Sequence, residues 1–395
     1  MSAVVLFEER ASVAGSRIGI ATLNSPATLN GLSLEMVDLL SARLTAWAAD
    51  PAIALVVLRG AGEKAFCAGG DLHSLYASMV GNGESGVGNR KAGMNAHALA
   101  FFTREYQLDY QIHAYEKPIL CWGHGIVMGG GIGLMSGASH RVVTEASRLA
   151  MPETGIGLFP DVGGTWLLSG APGASGRFLA LTGASIDASD ALYAGFADYA
   201  VAASRHEELL NALTDAAWQS DAHANGVQLD AILRAFALPP LAPSPLQRLR
   251  ADIDTCCAGD SLEHALAAIA NTTLDDAWWQ KAQAALGRAC PSSLRLSWEL
   301  QQRASRLSLA EVFQVELIAA LQCAAHGDFA EGIRALLIDK DKNPHWSPAT
   351  LAEADARFIE AFFTPSWKPE HHPLIDLVRD DRQRQFLNCL TCFFF

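Results

Sequence analysis

Two short runs of apolar residues constrain the fold of this chain most strongly. Residues 53–58 (Ile-Ala-Leu-Val-Val-Leu) and 119–122 (Ile-Leu-Cys-Trp) contain no charged position that would mark a face turned to water. Strands of this kind are typical of parallel sheets that are covered on both faces. A helical pattern that begins at Ser33 precedes the first run, and a glycine-rich turn follows the second. Successive strand–helix–strand units therefore predict an α/β core with right-handed crossovers.

The composition changes along the chain and predicts three parts. Residues 1–204 are expected to form the α/β core that carries the active site. From residue 205 onwards alanine, leucine and arginine dominate and strand signals vanish, so residues 205–369 are expected to form a helical C-terminal region. Weak periodicity in residues 370–395 predicts an irregular tail. Residues 80–95 are glycine-rich and lack periodicity, which predicts a surface loop or lid.

The charge and the cysteines limit the possible partners and locations. A net charge of −13 argues against nucleic acid or an anionic membrane as a partner. No apolar run reaches the roughly 18 residues of a membrane helix. The eight cysteines are scattered along a long chain, which does not indicate a disulfide framework. With Glu8 and Glu9 the first ten residues do not resemble a signal or transit peptide, and a cytoplasmic location is predicted. Cys389 and Cys392 form a C-x-x-C without a partner motif and are interpreted as part of a variable tail.

Several motifs that would indicate other chemistry are missing from the sequence. It contains no G-x-x-x-x-G-K-[ST] phosphate loop, no G-x-S-x-G nucleophile elbow and no G-x-G-x-x-G dinucleotide fingerprint. The histidines and cysteines do not have the spacing of metal ligands. We therefore expect no metal and no redox cofactor.

Two glycine-rich segments are candidates for supplying backbone N–H donors. Residues 65–71 (Ala-Phe-Cys-Ala-Gly-Gly-Asp) and 128–131 (Met-Gly-Gly-Gly) each follow an apolar strand, and Glu153 and Asp161 follow the second segment. Two N–H donors that face one oxygen, with a carboxylate nearby, are what acyl-transfer or enolate chemistry requires. The alternative is that each segment is only a tight turn between a strand and a helix.

The same segments resemble the crotonase (enoyl-CoA hydratase/isomerase) superfamily. The resemblance lies in Lys-Ala-Phe-Cys-Ala-Gly-Gly-Asp at 64–71 and in His-Gly-x-x-Met-Gly-Gly-Gly at 124–131. Met-Pro-Glu-Thr-x-Ile-Gly-Leu-Phe-Pro-Asp-Val-Gly-Gly at 151–164 resembles its 3-hydroxyisobutyryl-CoA hydrolase branch, as do residues 328–334 and 339–346. The resemblance covers about residues 15–365. It implies a spiral of ββα units with a helical C-terminal region, and an acyl-CoA thioester as ligand.

The resemblance also implies roles for five residues of this chain. The N–H groups of Gly70 and Gly130 match the oxyanion hole of the family. Glu153 matches its catalytic acid/base, Asp161 a second active-site acid, and Glu105 a substrate-contacting carboxylate. The alternatives are structural: Glu153 as a surface residue, Asp161 as a helix N-cap, and Glu105 on a solvated helix face or in an ion pair.

One departure from the hydratase pattern concerns Gly133. The first glutamate of the hydratase pair falls on this position, so residue 133 supplies no carboxylate for the addition of water to a double bond. The sequence therefore favours a thioester hydrolase over an enoyl-CoA hydratase or isomerase. A non-catalytic acyl-CoA-binding relative is the third alternative.

The predicted substrate is 3-hydroxyisobutyryl-CoA or a close 3-hydroxyacyl-CoA, in valine breakdown. Glu153 either activates a water molecule or attacks the thioester directly. Coenzyme A is part of the substrate and leaves as a thiol or thiolate, so no cofactor is expected. Asp161, with Glu105, is expected to recognise the 3-hydroxyl of the substrate. Relatives commonly form trimers, so a homo-oligomer is possible.

Overall fold

The computed structural model describes residues 3–81 and 95–381. In these residues the strands form a six-stranded sheet in the order β1-β2-β3-β5-β7-β9 and a three-stranded sheet in the order β4-β6-β8. The strands are β1 (Val5–Ala11), β2 (Arg17–Leu23), β3 (Ile53–Gly60), β4 (Ala65–Cys67), β5 (Ile119–Gly123), β6 (Ile126–Met128), β7 (His140–Val143), β8 (Arg148–Ala150) and β9 (Tyr199–Ala200).

Helices surround the sheets and make up nearly all of the regular structure after β9. The first seven are α1 (Leu34–Ala49), α2 (Leu72–Val80), α3 (Ala96–His113), α4 (Gly130–Ser136), α5 (Gly164–Ser169), α6 (Ser175–Thr182) and α7 (Ala188–Ala194). The C-terminal ones are α8 (His206–Thr214), α9 (Ala222–Phe236), α10 (Pro245–Arg248), α11 (Arg250–Cys257), α12 (Leu262–Asn271), α13 (Ala277–Leu286), α14 (Pro291–Ala304), α15 (Leu309–His326), α16 (Asp328–Ile333) and α17 (Ala356–Glu360). None of the helices in the described ranges is long and apolar enough to cross a membrane.

The chain alternates between the two sheets and so forms a spiral. Each of β3, β5 and β7 in the large sheet is followed directly by β4, β6 or β8 in the small sheet, and then by α2, α4 or α5. Strands β1 and β2 are antiparallel, whereas the other neighbours are parallel. The predicted spiral of ββα units with a helical C-terminal region is confirmed.

Strand β3 shows why the apolar runs are buried on both faces. Its alternate residues enter two different clusters: Val56 and Leu58 belong to the large core, and Leu55 and Val57 to a second cluster on the other face of the sheet. Helices α8 and α9 cover that second face with leucines, among them Leu209, Leu213, Leu229 and Leu233. Two helices of the predicted C-terminal region thus complete the core sheet. The division at residue 204 stays a prediction.

Helix α1 forms as its sequence pattern predicts. The Ser33 hydroxyl accepts a hydrogen bond from the Met36 N–H at 3.2 Å and caps the first turn. The predicted apolar face is buried, and it consists of Met36, Val37, Leu40, Leu44 and Trp47. This face packs against the sheet and fixes the position of α1 beside α3.

The predicted lid at 80–95 and the predicted tail at 370–395 both lie at the edges of the described ranges. The predicted lid at 80–95 lies almost entirely outside the described residues, as do Cys389 and Cys392. Residues 375–381 form a helix. The sequence predicts an irregular tail there, because its apolar residues have only weak periodicity. The contacts there are long-range: Leu374 is buried, and its carbonyl accepts a hydrogen bond from Gln314 on α15.

Candidate active site

The parallel pairing of β4 and β6 brings the two glycine-rich segments together. Both segments follow the carboxyl ends of these strands. Gly69 and Gly129 have φ angles of +106° and +47°, a region that favours glycine. A Cβ on Gly130 would lie 3.5 Å from the Gly70 nitrogen, so the two backbones nearly touch. Among the hydrogen bonds formed within residues 3–81 and 95–381, none has the N–H of Gly70 or Gly130 as its donor.

Glu153 lies directly beside this pair of glycines. Strand β8 pairs with β6 and leads into the 3-10 turn Glu153–Ile156. The Glu153 Oε1 is 3.1 Å from the place of a Cβ on Gly129, and its Oε2 is enclosed without a hydrogen-bond partner. Burial, and then the charge of Asp161, raise the pKa of Glu153 well above its usual value. The side chain is 5% exposed, which excludes the interpretation as a surface residue.

Two carboxyls of helix α3 lie against glycines of α4, in the space that side chains there would fill. Oε1 of Glu105 contacts the place of a Cβ on Gly130 and lies 4.0 Å from that of Gly70. One turn later, Asp109 Oδ2 lies 2.7 Å from the place of a Cβ on Gly133. The glycines of α4 therefore allow a close approach of α3 and leave room for its acids. Glu105 is 2% exposed, which excludes a solvated helix face.

Asp161 is held by a tyrosine of the same helix α3 and does not cap α5. The Tyr106 hydroxyl donates a hydrogen bond to Asp161 Oδ2 at 2.7 Å. The N-terminus of α5 is capped from α15, since Gly163 and Thr165 donate their N–H groups to Glu316 at 2.8 and 3.0 Å. The interpretation of Asp161 as a helix cap is therefore wrong. Burial raises the pKa of Asp161 to about 6, against the lowering effect of the Tyr106 hydroxyl.

Five buried carboxyls form what we call the acidic cluster. Its members are Glu105, Asp109, Glu153, Asp161 and Glu316, each no more than 5% exposed. In the described ranges no salt bridge involves any of them. Burial is the main cause that raises the pKa of every member, to about 8 for Glu316 and well above the usual value for Glu105 and Asp109. Because like charges in a dry site oppose one another, each of these acids also makes the ionisation of its neighbours less favourable.

Sequence reasoning missed two members of this cluster. Asp109 follows Glu105 by one helical turn on the face that also buries Phe101 and Phe102, and an acid on an apolar face was the available signal. Glu316 has no local signal, because it lies among buried apolar residues of α15 and its partners are distant in the sequence. Residue 133 has no carboxyl, as the sequence shows, and the Asp109 carboxyl of α3 lies against the place of its Cβ.

The arrangement suits the activation of a carbonyl compound. Within residues 3–81 and 95–381 no acceptor engages the N–H of Gly70 or Gly130, and the carboxyls of Glu105 and Glu153 lie close to these glycine segments. In the described residues no group of three or more His, Cys, Asp or Glu side chains is arranged to hold a metal ion. A ββα spiral with such a pair of N–H groups at the ends of its small sheet defines the crotonase class of enzymes.

The chain belongs to the enoyl-CoA hydratase/isomerase family, whose model matches residues 18–363. It is 38% identical over 362 residues to a protein of Danio rerio named "3-hydroxyisobutyryl-CoA hydrolase, mitochondrial", covering 91% of this chain and 89% of that protein. A solved carnitinyl-CoA dehydratase of Mycobacterium thermoresistibile is 37% identical, with a TM-score of 0.80 over 93% of this chain and 98% of that one. A solved enoyl-CoA hydratase of Rhodobacter sphaeroides is 35% identical, with a TM-score of 0.78 over 92% and 98%.

The comparison corrects the predicted location. Vertebrate relatives carry "mitochondrial" in their names, so the prediction of a cytoplasmic protein is wrong. Its basis was the absence of a disulfide framework and the acidic N-terminal residues. Unpaired cysteines indicate a reducing compartment without distinguishing one such compartment from another.

Proposed function

We propose that this protein is an acyl-CoA thioester hydrolase that acts on 3-hydroxyisobutyryl-CoA, or on a close 3-hydroxyacyl-CoA, in valine catabolism. The name of the Danio rerio relative supports the substrate. The observation that carries the proposal is the position of Glu153, whose Oε1 lies 3.1 Å from the place of a Cβ on Gly129. In the part of the chain that the structure describes, the N–H groups of the nearby Gly70 and Gly130 have no acceptor.

The two N–H groups are proposed to bind the thioester carbonyl oxygen. The N–H groups of Gly70 and Gly130 have no protein acceptor in the described ranges, and the Gly70 nitrogen lies 3.5 Å from the place of a Cβ on Gly130. As the carbonyl carbon is attacked, negative charge develops on its oxygen. Fixed donors in a dry site stabilise that charge, and one such donor is typically worth about 3 kcal/mol of the barrier.

Glu153 is proposed to supply the base or the nucleophile. As a base it takes a proton from the water whose oxygen bonds to the carbonyl carbon; as a nucleophile it forms a mixed anhydride that water then cleaves. In both routes the C–S bond breaks, and the sulfur leaves with the electron pair and is protonated. Burial raises the pKa values of Glu105, Asp109 and Glu316 and so favours their neutral forms, which do not oppose a negative charge on Glu153.

Asp161 is proposed to recognise the 3-hydroxyl of the substrate. Its pKa of about 6 makes it a carboxylate at neutral pH, and a carboxylate only accepts hydrogen bonds. The Tyr106 hydroxyl engages Oδ2, and we expect Oδ1 to accept the substrate hydroxyl. A substrate without that hydroxyl leaves the carboxylate poorly solvated, which favours 3-hydroxyacyl thioesters by about tenfold or more.

A second candidate function is the hydration of an enoyl-CoA. The names of the two solved relatives favour it, as does the Asp109 carboxyl at the position of Gly133. Both oxygens of Asp109, however, are enclosed and have no hydrogen-bond partner. A carboxyl that is closed off between α3 and α4 is badly placed to hold a water molecule for a double bond.

The test compares thiol release with hydration. The purified protein is given a panel of acyl-CoA esters with and without a 3-hydroxyl, and free thiol is measured. Crotonyl-CoA is added separately, and its enoyl absorbance is followed. We expect thiol release that is fastest for 3-hydroxyacyl esters and an almost constant enoyl absorbance. If crotonyl-CoA is hydrated as fast as the best ester releases thiol, the proposed function is enoyl-CoA hydration and not thioester hydrolysis.

A further inference from the structure

We propose that Glu105 acts as a neutral acid whose O–H is a third hydrogen-bond donor to the thioester carbonyl oxygen, beside the N–H groups of Gly70 and Gly130. The proposal rests on the thioester chemistry proposed above and gives Glu105 a catalytic role there. It differs from the expectation that Glu105 accepts a hydrogen bond from the 3-hydroxyl of the substrate.

The position of the Glu105 carboxyl is the first argument. Oε1 contacts the place of a Cβ on Gly130 and lies 4.0 Å from that of Gly70, so it adjoins both of the glycines whose N–H groups are the proposed donors. Both oxygens of Asp109, one turn further along α3, are fully enclosed and have no hydrogen-bond partner. Neither oxygen of Glu105 is both enclosed and without a partner. The Glu105 carboxyl therefore borders the space between the two glycines, where the carbonyl oxygen is proposed to bind.

The charge at this place is the second argument. An ionised Glu105 would lie next to the oxygen that becomes negative, and it would oppose the reaction that the two N–H groups promote. The same carboxyl in its neutral form has one O–H to donate. A buried carboxylic acid that stays neutral and donates a hydrogen bond to an oxyanion is an established catalytic device.

The surroundings of Glu105 favour the neutral form. The titratable groups that face it are Asp109 on α3, Asp161 before α5, Glu153 after β8 and Cys67 on β4. All of these are acidic. Burial, followed by the charges of Asp161, Asp109 and Glu153, raises the pKa of Glu105 well above its usual value. Tyr106 and Glu316, which adjoin Asp161, add no positive charge.

The first test compares two uncharged replacements of similar size. Glu105→Gln keeps an N–H donor at the end of the side chain, and Glu105→Leu keeps the bulk without a donor. With a 3-hydroxyacyl-CoA we expect kcat to fall by up to about tenfold for the glutamine variant and by about 10²–10³ for the leucine variant, the usual effect of losing an oxyanion donor. KM should change little. Equal losses in the two variants, or a lost preference for the 3-hydroxyl in Glu105→Gln, would overturn the proposal.

The second test uses pH, with Asp109→Asn as the matched control. The neutral form of Glu105 exists below its pKa, so wild-type kcat should decline as the pH rises through that value. Glu105→Gln cannot ionise and should lack this alkaline decline. Asp109→Asn also removes one acid from α3 and should keep the decline. The proposed donor role of Glu105 is contradicted if kcat of Glu105→Gln still declines at alkaline pH, or if kcat of Asp109→Asn no longer does.

The third test needs no turnover and separates this proposal from the proposed function. A 3-hydroxyacyl-CoA is bound to the full-length Glu153→Gln protein, and the infrared stretch of its thioester carbonyl is measured. We expect a shift to lower frequency that shrinks when Glu105→Leu is added and largely remains when Glu105→Gln is added. A wild-type protein without thiol release refutes the hydrolase, whereas an unchanged carbonyl shift in the leucine variant refutes the third donor. If Glu105→Leu fails to fold, the pH profile and the carbonyl shift of Glu105→Gln still test the proposal.

Discussion

The carboxyl of Asp109 occupies the space that a side chain on Gly133 would need. Its Oδ2 is 2.7 Å, and the Val162 Cβ is 2.8 Å, from the place of a Cβ at position 133. Gly133 is therefore more than a missing glutamate, since it makes room for an acid of another helix. The two positions are coupled sterically, and this coupling can be measured.

Gly133→Ala should destabilise the protein by about 1–3 kcal/mol, because the added methyl overfills a packed site. Adding Asp109→Ala removes the carboxyl and should recover part of that loss, a coupling of about 0.5–3 kcal/mol. Gly259→Ala is the control, since a Cβ there meets nothing within 4 Å. Urea unfolding of Gly133→Ala, Asp109→Ala, the double variant and Gly259→Ala measures the effect. Strictly additive costs would show that Asp109 does not fill the space beside Gly133.

Glu153→Gln should lower kcat for thioester cleavage by about 10²–10⁴, the range attributed to general-base catalysis. Its affinity for acyl-CoA should stay within a few-fold, because the amide has nearly the same shape. The measurements are free-thiol release and equilibrium binding. Glu116→Gln changes an exposed carboxylate and serves as the control. Near-normal turnover of Glu153→Gln would remove Glu153 from the mechanism.

Gly130→Pro should lower kcat by about 10²–10³ relative to Gly130→Ala. Both variants add a Cβ that meets the Glu105 carboxyl, but only proline removes the N–H. Gly130 is the first residue of α4, a position that tolerates proline, so the helix should persist. Circular dichroism checks the fold of both variants. Equal kcat values would mean that this N–H does not contact the reacting oxygen.

Tyr106→Phe should shift the acid limb of kcat/KM to higher pH. The carboxylate of Asp161 exists above its pKa of about 6, so activity that depends on it is lost as the pH falls through that value. The Tyr106 hydroxyl lowers this pKa, and its removal raises it further. The pH profile for a 3-hydroxyacyl-CoA should therefore move upwards. The profile for the substrate without the hydroxyl should move less, and equal shifts would argue against hydroxyl recognition by Asp161.

Glu316→Ala should reduce stability by about 2 kcal/mol or more, because the buried N–H groups of Gly163 and Thr165 lose their acceptor. Asp161→Ala should instead reduce the preference for 3-hydroxyacyl esters about tenfold, without the loss of a cap. Urea unfolding and the two kcat/KM values for each variant separate these effects. A large loss of stability in Asp161→Ala with an unchanged substrate ratio would reverse the two assignments.

Local patterns were enough to predict much of the fold and of the candidate site. The run of apolar residues in β3 and the apolar face of α1 follow from residue spacing, which governs what each strand or helix buries. The motifs around Gly70, Gly130 and Glu153 are also local, and the structure brings them together. The capping of α5 by Glu316 was not predictable, because its position in an apolar helix does not indicate which distant N–H groups it meets. Likewise, charge and cysteine usage do not identify a compartment.

The capping of α5 from α15 also bears on how the enzyme is made. Glu316 and Gly163 are 153 residues apart in the chain. When the Glu153–Asp161 segment has just left the ribosome, the nascent chain still lacks Glu316, whose carboxyl oxygens accept the hydrogen bonds at the start of α5. The Glu153–Asp161 segment therefore reaches its final form only after α15 has been translated and has docked, and a product of premature termination would contain every glycine motif with an uncapped α5.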